Sequence, residues 1–113
     1  MIFSGISPDG ESHIDKIRKG TKTQTRRVNR GLYKIGHSYS VQRGRGKKGE
    51  PDIRIVIDKI WREDHKISEE DALAEGGYTP DQYEKEFKKI YSEWDGKERW
   101  VFEFHVIKLG GGR

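Results

Sequence analysis

Gly20-Thr21-Lys22-Thr23-Gln24-Thr25-Arg26-Arg27 holds one glycine, three threonines, a glutamine and three cations, and no apolar side chain. Such a run adds little to a core, yet apolar periodic segments flank it on both sides. Polar, hydroxyl-rich, cationic segments held between packed elements bind anions or carry chemistry. Read alone, the run is equally a solvated turn followed by a surface strand. Its surroundings decide between the two.

On the N-terminal side, Ser12 and Asp15 have capping-box spacing, and Ile14 and Ile17 lie one turn apart, which predicts a helix from about Ser12 to Lys19. Gly20 supplies the left-handed residue that ends it. On the C-terminal side, Thr23–Val28 has the β-branched content of a strand, and Asn29-Arg30-Gly31 a turn. Met1–Phe3 reads as a short edge strand, followed by a turn-rich loop over 4–10 that leaves residues 1–10 peripheral. Tyr39 and Val41 alternate with polar neighbours in a strand over His37–Arg43.

Farther on, Ile53–Trp61 alternates, with Ile53, Ile55, Ile57 and Trp61 expected on one face. Ser68 and Asp71 repeat the capping-box spacing and open a short helix to about Ala74, broken at Glu75-Gly76-Gly77. Thr79-Pro80 with Gln82 starts a second helix, on which Tyr83, Phe87, Ile90, Tyr91 and Trp94 form an apolar stripe ending near Trp94. Trp100–Lys108 is the last strand, and residues 109–113 a frayed tail. Many strands with only small helices predict one α+β domain over residues 1–113, a partly closed β-barrel of about five to six strands with flanking short helices.

Composition narrows the function classes. Among 113 residues there is no cysteine, so neither disulfides nor thiolate metal sites can form, and a reducing, cytoplasmic compartment is expected. The first residues lack the pattern of a secretory signal, and no apolar run reaches the roughly 20 residues of a membrane span. His13, His37, His65 and His105 share no metal-ligand spacing, so no metal and no cofactor is expected. Gly44-Arg45-Gly46-Lys47-Lys48-Gly49 satisfies G-x-G-x-x-G, but Pro51 and an extended pattern follow where a dinucleotide site needs a helix. A flexible basic loop is the better reading.

The charge distribution is the stronger signal. The net charge is only +4, yet residues 16–49 hold twelve Lys/Arg and no acid. The remainder carries eleven bases and nineteen acids, so +12 in one third opposes −8 elsewhere. Segregation on this scale suggests a basic face for a polyanion such as RNA. Fold-back of the acidic segments onto these bases is the alternative. Chemistry adds a second possibility: a desolvated Lys22 can serve as a base and activate a nearby threonine hydroxyl. Lys22 and Thr25, three apart, fall on opposite faces of a regular strand, so joint action needs a bend near Thr23.

Ile14…Ile17-Arg18-Lys19-Gly20-Thr21-Lys22-Thr23-Gln24-Thr25-Arg26-Arg27, then Tyr33-Lys34-Ile35-Gly36 and Tyr39-Ser40-Val41-Gln42-Arg43, resemble the ASCH domain of the PUA-like superfamily. Ala72-Leu73-Ala74-Glu75-Gly76-Gly77 and Trp100-Val101-Phe102-Glu103-Phe104 extend the likeness to about Ile14–Lys108. The resemblance implies a PUA-like barrel with a cleft at the G-x-K-T-x-T-x-R loop that takes RNA or a nucleotide or nucleoside. One similar branch hydrolyses N4-acetylcytidine with a lysine base, a threonine nucleophile and a glutamate proton donor. By motif these fall on Lys22, Thr25 and Glu75. The Arg26-Arg27 pair and the 44–49 loop depart from that branch and favour a polymeric anion, with Lys19, Thr23, Arg26, Arg27, Arg43, Arg45, Lys47 and Lys48 expected to contact phosphates. Three functions follow as expectations: RNA or nucleotide binding, an N4-acetylcytidine-type amidohydrolase, and a ribonuclease. No obligate protein partner is evident, and a monomer is expected.

Overall fold

A computed structural model describes residues 1–110. Three helices, α1 (His13–Lys19), α2 (Glu69–Ala74) and α3 (Pro80–Ile90), combine with four strands, β1 (Gln24–Arg27), β2 (Ser38–Gln42), β3 (Gly49–Glu63) and β4 (Arg99–Lys108). The class is α+β. The strands form one antiparallel sheet in the order β1-β4-β3-β2.

Every predicted cap is in place. The Ser12 and Ser68 hydroxyls accept from the amides of Asp15 and Asp71, and Thr79 and Gln82 complete a reciprocal capping box. Gly20, at φ 81, ends α1 in the left-handed conformation that its missing Cβ permits. α3 stops at Ile90, short of the expected Trp94, because Tyr91 leaves the helical region (φ −114, ψ 67). Trp94 still packs on Phe87, with ring centroids 4.9 Å apart.

The sheet has four strands, where five to six were expected. Met1–Phe3 makes a single parallel bridge, Ile2 to Gln42, rather than a strand. The sheet curls without closing. Its two edge strands are linked through Ile2, which bridges Gln42 of β2 and accepts from Arg27 Nη2 of β1 at 2.6 Å, where a barrel would have backbone pairing. Residues 1–10 divide in their burial. Met1 and Phe3 enter the core, Phe3 packing 5.7 Å from Phe104, while Ser4–Ile6 are exposed. Of the tail expected to fray, Gly111–Arg113 lie outside the described residues.

The main core fills the concave face: Ile14 and Ile17 of α1 meet Ile53, Ile55, Ile57, Phe102 and Phe104. Each isoleucine buried there contributes roughly 2 kcal/mol relative to exposure. A second cluster, Ile67, Ala72, Tyr78, Tyr83 and Phe87, joins α2 and α3 against the other face of the sheet. One irregularity sets the layout between the two. The β3–β4 register shifts between Ile57 and Lys59, so Ile57 pairs with Phe104 but Ile60 pairs with Phe102. The extra residue reverses the alternation beyond it. Trp61, expected beside the isoleucines, falls on the opposite face, and Glu63 follows it there, paired with Arg99.

Candidate functional site

Strand alternation on β1 separates its side chains. Thr25 and Arg27 share the face of their β4 partners Phe102 and Trp100, whereas Gln24 and Arg26 share that of Glu103 and Val101. Lys22 precedes the strand, in the bend that α1 and Gly20 create. Thr23 N donates to Ala74 O (2.8 Å) and so ties the end of α2 to the start of β1. Glu75 caps α2 at that junction and is thereby delivered to Lys22.

Lys22 Nζ donates to Glu75 Oε1 (2.9 Å), Glu75 O (2.7 Å) and Gln24 O (2.9 Å), which uses all three ammonium donors. Both side chains are almost fully buried, at 4% and 2% exposure. Burial pushes the Lys22 amine below its ordinary range, while the Glu75 carboxylate opposes that shift. The pair lies at a cavity of about 430 Å³ that Thr25 also lines. Its volume is within the range of small-molecule sites. Aromatic side chains supply much of its wall, among them Phe3, Tyr78, Tyr83 and Phe87.

Two cavity residues have buried polar atoms with no hydrogen-bond partner among the described residues, His13 Nδ1 and Arg27 Nε. His13 stacks on Tyr78, and its Nε2 lies 3.0 Å from the Tyr78 hydroxyl. Burial, reinforced by Lys22, Lys16 and Arg27, lowers the His13 pKa to about 4, so the ring is neutral at pH 7. Burial also raises Tyr78 to about 12. Neither residue stood out in the sequence, since positions 13 and 78 meet only through the fold.

A chain of ion pairs runs inward from the cavity wall, to which Arg26 contributes. Arg26 links Glu75 to Glu63, Arg99 also pairs with Glu63, and the Arg99 guanidinium then meets both oxygens of Glu84 at 2.7 Å. Arg26, expected to contact phosphate, is therefore turned inward. Its side chain has no exposure, because the acids on α2 and β3 recruit it across the sheet.

The other expected phosphate contacts scatter. Lys19 is exposed and pairs with Glu11, Thr23 is half-buried at the α2 junction, and Arg27 is held at the cavity by Ile2. Arg43 pairs with Glu50 at 3.3 Å. Arg45, Lys47 and Lys48 are exposed and have no acidic partner among the described residues. The even basic face over 16–49 is thus broken up: Lys16, Arg18, Lys19, Lys22, Arg26 and Arg43 each meet an acid from outside that segment. Among the described residues, no group of three or more His, Asp or Glu is placed to hold a metal ion, and no helix is long and apolar enough to cross a membrane.

No family model matches the sequence, and no curated protein does. Solved structures do. An ASCH domain from Lactobacillus crispatus superimposes with a TM-score of 0.70 at 17% identity, over 86% of this chain and 71% of that one. The chain has the ASCH-domain fold. A protein of family DUF984 from Enterococcus faecalis matches with a TM-score of 0.71 at 21% identity, over 96% of this chain and 76% of that chain. A mutant ASCH protein from Zymomonas mobilis matches with a TM-score of 0.58 at 13% identity, over 92% and 67%. Within the ASCH fold of this chain, Lys22, Thr25 and Glu75 are brought to one cavity, whereas Arg45, Lys47 and Lys48 do not line it.

Proposed function

We propose that this ASCH-fold protein binds a nucleoside-type ligand in the cavity and hydrolyses an acyl group from its exocyclic amine, as in N4-acetylcytidine. The observation that carries this reading is the buried Lys22–Glu75 contact of 2.9 Å at a cavity lined also by Thr25. The aromatic wall suits a flat base, and the buried amine suits a base catalyst.

The chemistry balances. Transfer of one proton from Lys22 Nζ to Glu75 Oε1 leaves Lys22 as the neutral amine, the form that its burial favours. The amine takes the Thr25 hydroxyl proton while Oγ1 attacks the acyl carbon. Collapse of the tetrahedral adduct breaks the C–N bond, the leaving amine takes the Glu75 proton, and the acyl group remains as a threonine ester. Water then adds to the ester carbon and gives one proton to Glu75, while the Lys22 ammonium returns its proton to the departing threonine oxygen, so the carboxylic acid leaves and the neutral amine and protonated Glu75 are restored. Incubation of purified protein with N4-acetylcytidine tests the reading: cytidine and acetate should appear. No turnover by the wild type, or equal turnover by Lys22→Ala, overturns it.

A second reading, RNA contact, is favoured by one specific observation. Arg45, Lys47 and Lys48 sit exposed on one short loop, free of acids among the described residues. Cations so placed are available to phosphates. Cleavage of the RNA on incubation, abolished by Lys22 substitution, would point instead to a ribonuclease.

A further inference from the structure

Arg26 is the most heavily bonded side chain near the cavity. Its Nε donates to Glu63 Oε2 (2.6 Å), Nη2 to Glu63 Oε1 and Asp71 Oδ2 (3.2 Å each), and Nη1 to Glu75 Oε2 (2.8 Å) and Gln24 Oε1 (2.9 Å). A guanidinium has five N–H donors, so none remains for a ligand. What it touches is more informative than what it could bind. Glu75 Oε2 faces Arg26 while Oε1 faces Lys22, so the carboxylate is held from both sides.

Backbone alone does not fix that carboxylate. Glu75 ends a helix of six residues and is followed by Gly76 and Gly77, both at positive φ. Its peptide is anchored, through Lys22 Nζ to Glu75 O and Thr23 N to Ala74 O, but those bonds leave the side-chain torsions free. Arg26 supplies the missing constraint, and Glu63 supplies it to Arg26 in turn by gripping Nε and Nη2 together. Glu63 reaches that face only because the β3 bulge reverses the alternation after Ile57.

We propose that Arg26, backed by Glu63, is a positioning residue that aims Glu75 at Lys22. This rests on the amidohydrolase reading of the cavity. Consecutive residues of β1 then divide the work, Thr25 toward the ligand and Arg26 behind the carboxylate. A lysine at 26 is no substitute, since a point charge cannot make the forked contacts that fix a carboxylate plane.

The test compares the wild type with Arg26→Lys, Glu63→Gln and the double variant Arg26→Met/Glu63→Gln. The double variant removes one buried charge of each sign and leaves Arg99 with Glu84. Steady-state hydrolysis of N4-acetylcytidine is measured together with the NMR signals of the Lys22 ammonium protons. Expected are a kcat reduced about a hundredfold with KM nearly unchanged, and loss of the slowly exchanging Lys22 signals. Arg26→Lys should behave like the double variant. If the double variant does not fold, Glu63→Gln, which keeps the Arg26–Glu75 contact but loosens it, should lower kcat about tenfold. Folded variants that keep both kcat and the Lys22 signals overturn the proposal and leave Arg26 a structural ion pair. If the wild type shows no turnover, the amidohydrolase reading falls, and the Lys22 signals alone then decide whether Arg26 positions the pair.

Discussion

Lys22 and Glu75, 53 positions apart in the chain, meet in a buried ion pair whose Nζ–Oε1 distance is 2.9 Å. The pair lines a cavity to which Thr25 also contributes a hydroxyl. Few arrangements place an amine, a carboxylate and a hydroxyl together at so little solvent exposure, and chemistry follows from that desolvation.

Substitutions at Lys22 and Thr25 test their catalytic roles. Lys22→Met should abolish hydrolysis of N4-acetylcytidine and Thr25→Ala should do likewise, while Thr25→Ser, which keeps a hydroxyl, should retain part of it. Product formation followed chromatographically measures all three. Lys22→Met leaves Glu75 with Arg26 as its cationic partner, so the protein should remain folded at a cost of about 1–3 kcal/mol.

His13 sets an acid limit on stability. Its pKa falls from 6.5 to about 4 in the fold, so between these values the unfolded chain binds the proton and the folded one does not. Stability from this residue is complete above pH 6.5 and is lost as pH falls toward 4. The full shift corresponds to about 3 kcal/mol, and solvent screening of a partly exposed ring reduces it to about 1–2 kcal/mol. His13→Gln should therefore lose less stability than the wild type between pH 6.5 and 4 in urea unfolding.

RNA binding through the basic loop has a salt signature. Replacing Lys47 and Lys48 by alanine should weaken binding to a single-stranded RNA at low salt. The slope of log K against log salt should become shallower by about 0.7 for each phosphate that is no longer neutralised. Arg26→Ala should leave that slope unchanged, since its guanidinium lies inside the protein. Fluorescence anisotropy over a salt series reads both.

The glycine pair after Glu75 is a further point of sensitivity. Gly77 sits at φ +86, and a Cβ there would lie 3.1 Å from Lys16 Nζ, which donates to Gly76 O at 2.7 Å. Gly77→Ala should cost about 1–2 kcal/mol in denaturant unfolding, through strain in the left-handed region. It should also lower turnover, by shifting the turn that carries Glu75.

Much of this was legible from residue types and spacing. Ser12, Gly20, Ser68 and Thr79 mark helix ends because cap hydrogen bonds and left-handed backbone are satisfied within a few residues. Ile53, Ile55 and Ile57 mark a half-buried strand by their alternation, and Lys22, Thr25 and Glu75, singled out by the motif resemblance, line one cavity. The sequence alone thus determined the helix starts, most of the strands and the α+β class, but not the number of strands or the end of α3.

Only the tertiary structure decided how those parts face one another. A bulge after Ile57 has no marker in residue type, yet it sends Trp61 and Glu63 to the other side of the sheet. Arg26 and Arg27 are adjacent and chemically identical, yet one is sealed among carboxylates and the other braces the open seam. The acid-free third of the chain looked like a continuous basic face until the acids folded onto half of it. Local energies set caps and periodicity, but the partner of a charge depends on which distant segment packs beside it, and that is settled when the chain closes on its core.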